Sequence, residues 1–123
     1  MNIYRAGEVG DDWEDVRAEL QRAFQMARAA AQAEESFVFV VHHDDLLGRR
    51  GPGMAMVATG FLSAVRTAAI EGSRKGWTAN VIAFDDEAGQ SHVEEWAERM
   101  LDSNGVTGEL IRLGPSHLGK ALP

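Results

Sequence analysis

The sequence predicts an α/β domain: a short parallel sheet of about three strands between flanking helices, in the order α-β-α-β-α-β. Two observations carry this. Phe37-Val38-Phe39-Val40-Val41 is an unbroken run of aromatic and β-branched residues, the pattern of a strand covered on both faces. From Met54 onward the period changes: Met54, Val57, Phe61, Leu62, Val65, Ala68 and Ala69 fall at helical spacing, and Ala79 to Phe84 then reads as a second buried strand. Strand, long helix and strand make one crossover unit, and such alternation builds a parallel sheet between helix layers.

The remaining elements follow in order. Ile3 and Tyr4 form a short strand or lie on the surface, and Gly7 and Gly10 loosen what comes next. Asp11 and Asp12 are N-cap candidates for a helix running to about Ala33, and Glu14 and Asp15 suit the positive end of its dipole. Its apolar stripe is Val16, Leu20, Ala23, Phe24, Ala27, Ala30 and Ala31, rich enough in alanine to approach a sheet or another helix closely. After the central unit comes a solvated acidic turn, Asp85-Asp86-Glu87. Ser91 and Glu94 make a capping box for a third helix, whose buried face is Val93, Trp96, Ala97, Met100 and Leu101. Asn104-Gly105 is expected to end it in left-handed backbone. Glu109 to Leu113 is the last strand, before a Gly114-Pro115 break. A single domain over residues 1–123 results, with 1–10 and 114–123 as flexible or interface arms. Three strands leave the run at Phe37 with few neighbours, which is an edge liability.

Composition narrows the function classes. The formal net charge of −7, from 19 acidic and 12 basic side chains, argues against nonspecific nucleic-acid binding, which needs a basic surface. Cysteine is absent, so disulfides and thiolate metal or redox chemistry are excluded. Uninterrupted apolar runs fall short of the ~20 residues that span a bilayer. The opening MNIYRAGEVGDD has no apolar signal-peptide core. A cytoplasmic protein without nucleic-acid or membrane partners is expected.

Two stretches are candidates for chemistry. His42-His43-Asp44-Asp45 follows the carboxyl end of a strand, where ligands collect in open parallel sheets. His42, His43 and Asp44 are there as a metal site or a His–carboxylate pair. Adjacent residues on extended backbone point opposite ways, so the histidines are not expected to chelate one ion, and a polar loop is the better reading. Gly48-Arg49-Arg50-Gly51-Pro52-Gly53 precedes a helix and is a candidate anion site. Pro52 removes an amide donor and the glycine spacing is loose, so a plain flexible loop explains it better. Arg49, Arg50, Arg66, Arg74 and Lys75 read as solvated charge, and Trp77 and Trp96 as core or interface aromatics.

Five pieces also occur in a suggestive order. They are Asp12-Trp13 with Glu19-Leu20-Gln21-Arg22-Ala23-Phe24; Ser36 to Val41; Arg66-Thr67-Ala68-Ala69-Ile70-Glu71; Gly76-Trp77-Thr78-Ala79-Asn80-Val81-Ile82-Ala83; and Thr107-Gly108-Glu109-Leu110-Ile111-Arg112-Leu113. In order and spacing, over residues 11–119, they resemble the second half of a short-chain dehydrogenase/reductase. They are similar to that family's "W…NLxGAF", the strand ending in its catalytic serine, "TRxLAxE", "GIRVNxVAP" and "TGQxIxVDGG". The resemblance implies a truncated Rossmann-like three-layer sandwich. The family's first half, with its TGxxxGxG phosphate turn, has no counterpart here. The chain is therefore expected to hold no cofactor of its own, with NAD(P) only if a partner chain supplies it.

The resemblance also places the family's catalytic positions. The asparagine falls at about Glu19, the serine at His42 give or take one residue, the tyrosine at Met54 and the lysine at Ala58. A second match puts tyrosine and lysine at Met56 and Gly60. Methionine cannot protonate a carbonyl oxygen, and neither alanine nor glycine can tune a phenol, so the family's general acid is missing. The one tyrosine, Tyr4, lies outside the motif. Met54 and Met56 are read as filling a vanished pocket. In the family, the helices matching residues 12–33 and 54–73 resemble the pair that forms a dimeric four-helix bundle. That implies an interface through Ala23, Ala27, Ala30, Phe61, Ala64, Val65 and Ala68. The expectation is a noncatalytic reductase-like domain that works as a homodimer or as partner or regulatory subunit of a full-length reductase. The alternatives are a subunit of an assembled NAD(P)-dependent oxidoreductase, or a re-purposed site using His42, His43, Asp44 and Glu19.

Overall fold

Six consecutive buried residues of β2 (Phe37–His42) set the architecture. A strand apolar on both faces needs a layer above, a layer below and a strand on each side. A computed structural model, describing residues 2–115, supplies all four. The sheet is fully parallel, in the order β1 (Ile3–Arg5), β2, β3 (Ala79–Phe84) and β4 (Leu110–Leu113). It therefore has four strands where about three were expected. The extra one is the Ile-Tyr-Arg triplet, in register Ile3↔Val38, Tyr4↔Phe39 and Arg5↔Val40. Three residues carry too little periodicity to announce a strand; β2's open edge recruits them through backbone hydrogen bonds. The edge liability at Phe37 is removed by the same pairing.

The helices are α1 (Trp13–Gln32), the single turn α2 (His43–Leu46), α3 (Pro52–Lys75) and α4 (Gln90–Asp102). Strand alternation sorts the core into two halves. Phe37, Phe39, Val41, Val81 and Ala83 meet Val16, Ala23, Val57, Phe61 and Val65 of α1 and α3. Val38, Val40 and Ile82 meet Val93, Ala97 and Met100 of α4 on the other face. Each crossover steps the same way across the sheet, yet the third uses the opposite face. Its hand is therefore opposite to that of the first two, although about 98% of such connections are right-handed. Among the described residues α4 is the helix that covers Val38, Val40 and Ile82; leaving that face to water would forfeit roughly 1.5–3 kcal/mol per large apolar side chain.

Several local readings need correction. The capping box is not formed: Gly89 is the N-cap of α4, and Ser91 lies inside the first turn. The turn before it is not solvated throughout, because Asp85 is 2% exposed and its Oδ1 accepts from the Glu87 and Ala88 amides at 2.9 and 3.0 Å. Helix α4 ends in extended Ser103; the left-handed glycine of this connection is Gly108, φ 72°. Asp12 is the N-cap of α1 but makes no side-chain cap bond. Phe24 leaves the apolar stripe and is 64% exposed. Trp77 is buried and Trp96 half-buried against the α4 core. Asn80, buried in β3, ties the final connection down, donating to the Val106 carbonyl at 2.9 Å and accepting from the Glu109 amide at 3.1 Å. By length and composition α3 is apolar enough to cross a membrane, which run length had not suggested; here one side of it packs on the sheet. The expected arm at 114–123 falls, beyond Pro115, outside the described residues.

Gly72 tests the packing. It sits inside α3, and a Cβ there would lie 2.5 Å from the Trp77 carbonyl and 2.6 Å from its ring. Alanine gains about 1 kcal/mol of helix propensity, but forcing Trp77 out costs about 1–3 kcal/mol. Gly72→Ala is therefore expected to lower the urea midpoint; a raised midpoint would show that Trp77 yields freely.

Candidate functional site at the carboxyl end of the sheet

Strands β1, β2 and β3 end side by side at Arg5, His42 and Phe84, around a crevice of about 280 Å³. His42 Nδ1 accepts from the Asp44 amide at 3.1 Å, making His42 the N-cap of α2. Nδ1 must then be unprotonated, so Nε2 carries the hydrogen and donates it to Asp86 Oδ1 at 2.8 Å. Both nitrogens are engaged: the ring's one basic lone pair, on Nδ1, faces a backbone amide, and the Nε2 hydrogen faces Asp86. The His43 ring stacks on His42 at 5.4 Å and 16°. The two point the same way because the chain turns from strand to helix between them. Among the described residues the buried His43 Nδ1 has no hydrogen-bond partner; it lies 3.6 Å from Asp44 Oδ1. Among the described residues no three His, Asp or Glu side chains converge as a metal-ligand set.

Arg50 is not simply solvated charge. It grips fully buried Asp45 with two bonds of 2.8 and 2.7 Å and reaches Glu8 at 3.1 Å. The Asp45 bonds, outweighing burial, hold its guanidinium more firmly protonated than usual. Arg49 pairs with Asp44 at 3.1 Å. The expected anion position at the start of α3 is filled by the chain itself: the Gly53 amide donates to Asp11 Oδ1 at 3.0 Å, and a Cβ at Gly53 would collide with the Gly10 carbonyl.

The family-aligned positions scatter. His42 and Met54 line the crevice, and Met54 Sδ accepts from the Val9 amide at 3.3 Å. Ala58 lies on the sheet-facing side of α3 and is buried in the core. Met56 is 48% exposed and fills no interior volume. Glu19 is buried at the junction of α1 with the segment after β1. It accepts from the Tyr4 hydroxyl at 2.9 Å, the Gly7 amide at 2.8 Å and the Arg22 guanidinium at 2.8 Å. Burial, then the Glu19 carboxylate, push the Tyr4 phenol above its ordinary range. Sequence reasoning missed Arg5, Glu8 and Asp86 as crevice residues, since Arg5 arrives through strand register and Glu8 and Asp86 through the segments that follow β1 and β3.

A second surface shares no residue with the crevice. Between the C-terminal halves of α1 and α3 runs a groove of about 570 Å³, floored by Ala27, Ala31, Ala64 and Ala68 beside exposed Phe24. Of the alanine-rich interface set, Ala27, Ala64 and Ala68 line this groove. Ala23, Ala30, Phe61 and Val65 instead face the sheet and are buried. Among the described residues the exposed large apolar side chains are Trp13 and Phe24 of α1 and Met56 and Ile70 of α3.

Two measurements check these contacts. Arg50→Met strands the Asp45 carboxylate in the interior and is expected to cost roughly 3 kcal/mol in denaturant unfolding; adding Asp45→Asn recovers part of it. The single tyrosine makes absorbance at 295 nm a clean reporter of Tyr4. It should ionise above the ordinary 10.0, and Glu19→Gln should move the midpoint down. With the folded pKa raised, this contribution to stability is intact below pH 10 and declines as pH rises through the folded value. An ordinary Tyr4 titration would contradict the buried Glu19 contact.

No family model matches the chain, and no curated protein matches it, so any functional reading stands on these residues and this geometry.

Proposed function

We propose that the chain is a noncatalytic, reductase-like domain that acts by association through the outer faces of α1 and α3. It works as a homodimer or as partner of a full-length reductase-type protein, in a cytoplasmic setting. The observation that carries the reading is the outer surface of these two helices. A solvated helix normally carries charge on its exposed side, yet α3 has none from Pro52 to Val65. Its exposed positions there are Pro52, Met56, Thr59, Ser63 and Ala64. Phe24 at 64% and Ile70 at 65% exposure add large apolar area on either helix. Clustered exposed apolar side chains on neighbouring elements mark interaction surfaces.

The crevice chemistry supports the noncatalytic half of the proposal. The His42 lone pair is held by a backbone amide and Met54 occupies the aligned acid position. Neither can shuttle a proton, and any NAD(P) would come with a partner chain.

Light scattering at tens of micromolar is expected to give a dimer mass for the chain alone, or for its mixture with a full-length reductase. Phe24→Asp should break either assembly, weakening it by about thirtyfold or more. A clean monomer with no such partner, or tight NAD(P)H binding by the isolated chain, would overturn the proposal.

A further inference from the structure

The crevice contains a cation without an anion. Arg5, the last residue of β1, lines it. Among the described residues Arg5 makes no ion pair: its guanidinium lies 5.9 Å from the centre of the Phe84 ring, and Gln90 accepts from it at 3.1 Å with its amide turned oxygen-inward. Arg50, by contrast, is fully engaged by Asp45 and Glu8. The crevice also holds an anion that is barely attached. The Asp86 side chain is 88% exposed, and its one polar contact among the described residues is the 2.8 Å bond from His42 Nε2. His42 is 8% exposed, so a buried, fixed N–H donor points at a carboxylate that is otherwise in water.

We propose that this crevice binds a small carboxylate with an apolar tail. Asp86 is its built-in competitor. A ligand carboxylate takes the bond from His42 Nε2 in place of Asp86 and pairs with the Arg5 fork. The tail lies against Val41, Met54 and Phe84, which line the same space. The class follows from the occupant already there: a position that accepts an aspartate carboxylate fits another carboxylate. Charge is compatible. With Asp86 displaced, Arg5 and Arg50 balance Asp45 and Glu8, and His42 keeps its Nδ1 bond from the Asp44 amide. A space of about 280 Å³ suits a small carboxylate. This inference uses none of the α1/α3 surface, so it stands or falls apart from the association reading.

The test is an amide ¹H–¹⁵N titration of the full chain with acetate, butyrate and benzoate, using butyramide and sodium chloride as controls. At least one carboxylate is expected to shift the Ala6, Asp44 and Asp86 amides saturably, and the controls should not. Asp86→Ala, at an exposed position, should tighten binding severalfold by removing the competitor. Arg5→Gln should weaken it about tenfold or more. Arg5→Lys, which keeps the charge but loses the fork, should fall between and serves if Arg5→Gln does not fold. No saturable shift up to tens of millimolar would overturn the proposal. So would equal shifts with butyramide, unchanged affinity in both Arg5 variants, or weaker binding in Asp86→Ala.

Discussion

The structure depends on one constraint: β2 is apolar on both faces. Phe37 to Val41 are each at most 1% exposed. Burying five such side chains is worth roughly 10 kcal/mol in gross terms, as much as a whole domain's net stability. That demand accounts for the recruitment of β1, for α1 and α3 on one face, and for α4 on the other. It also accounts for the third crossover's opposite hand. A connection that followed the usual rule would have left Val38, Val40 and Ile82 uncovered. Covering them outweighs the handedness preference, which is a packing tendency and not a law.

A second principle organises the polar groups. Buried carboxylates close the connections onto this frame. Glu19 holds the segment after β1 through Tyr4 and Gly7, Asp45 holds the loop before α3 through Arg50, and Asp85 shapes the turn before α4. Burying an ionised carboxylate is costly unless it is paired or hydrogen-bonded, so these groups fix their loops in place. The carboxyl end of the sheet is consequently well ordered but chemically committed. Its histidine serves as a cap, and its methionine receives an amide. Among the described residues, Arg5 is left without an ion pair and Asp86 is held by one bond.

Much of the domain was legible along the chain. The runs at Phe37 and Ala79 and the helical spacing from Met54 each carry enough residues for their period to be read. Gly76 ends α3 in left-handed backbone, φ 87°, as a glycine after an apolar period suggests. The short strand at Ile3 was ambiguous, because three residues hold barely one alternation. The capping box at Ser91 was a false signal: Asp85 shapes the preceding turn from the strand end, and the N-cap is Gly89, two residues earlier. For the alanine stripe the period was right, but a helix of 20 residues turns part of its apolar surface to the sheet and part to solvent. Sequence spacing alone does not divide Ala23 from Ala27.

By itself, then, the sequence determined the class of the fold and the residue types at the carboxyl ends of the strands. Periodicity and side-chain chemistry are local properties, and they survive being read one residue at a time. Tertiary structure decided the fourth strand, the face covered by α4, the tautomer of His42, and the meeting of Arg5, His42 and Asp86, which lie at least 37 residues apart along the chain. Those choices belong to register and to which buried groups find partners, and both are settled only when distant segments compete for the same space.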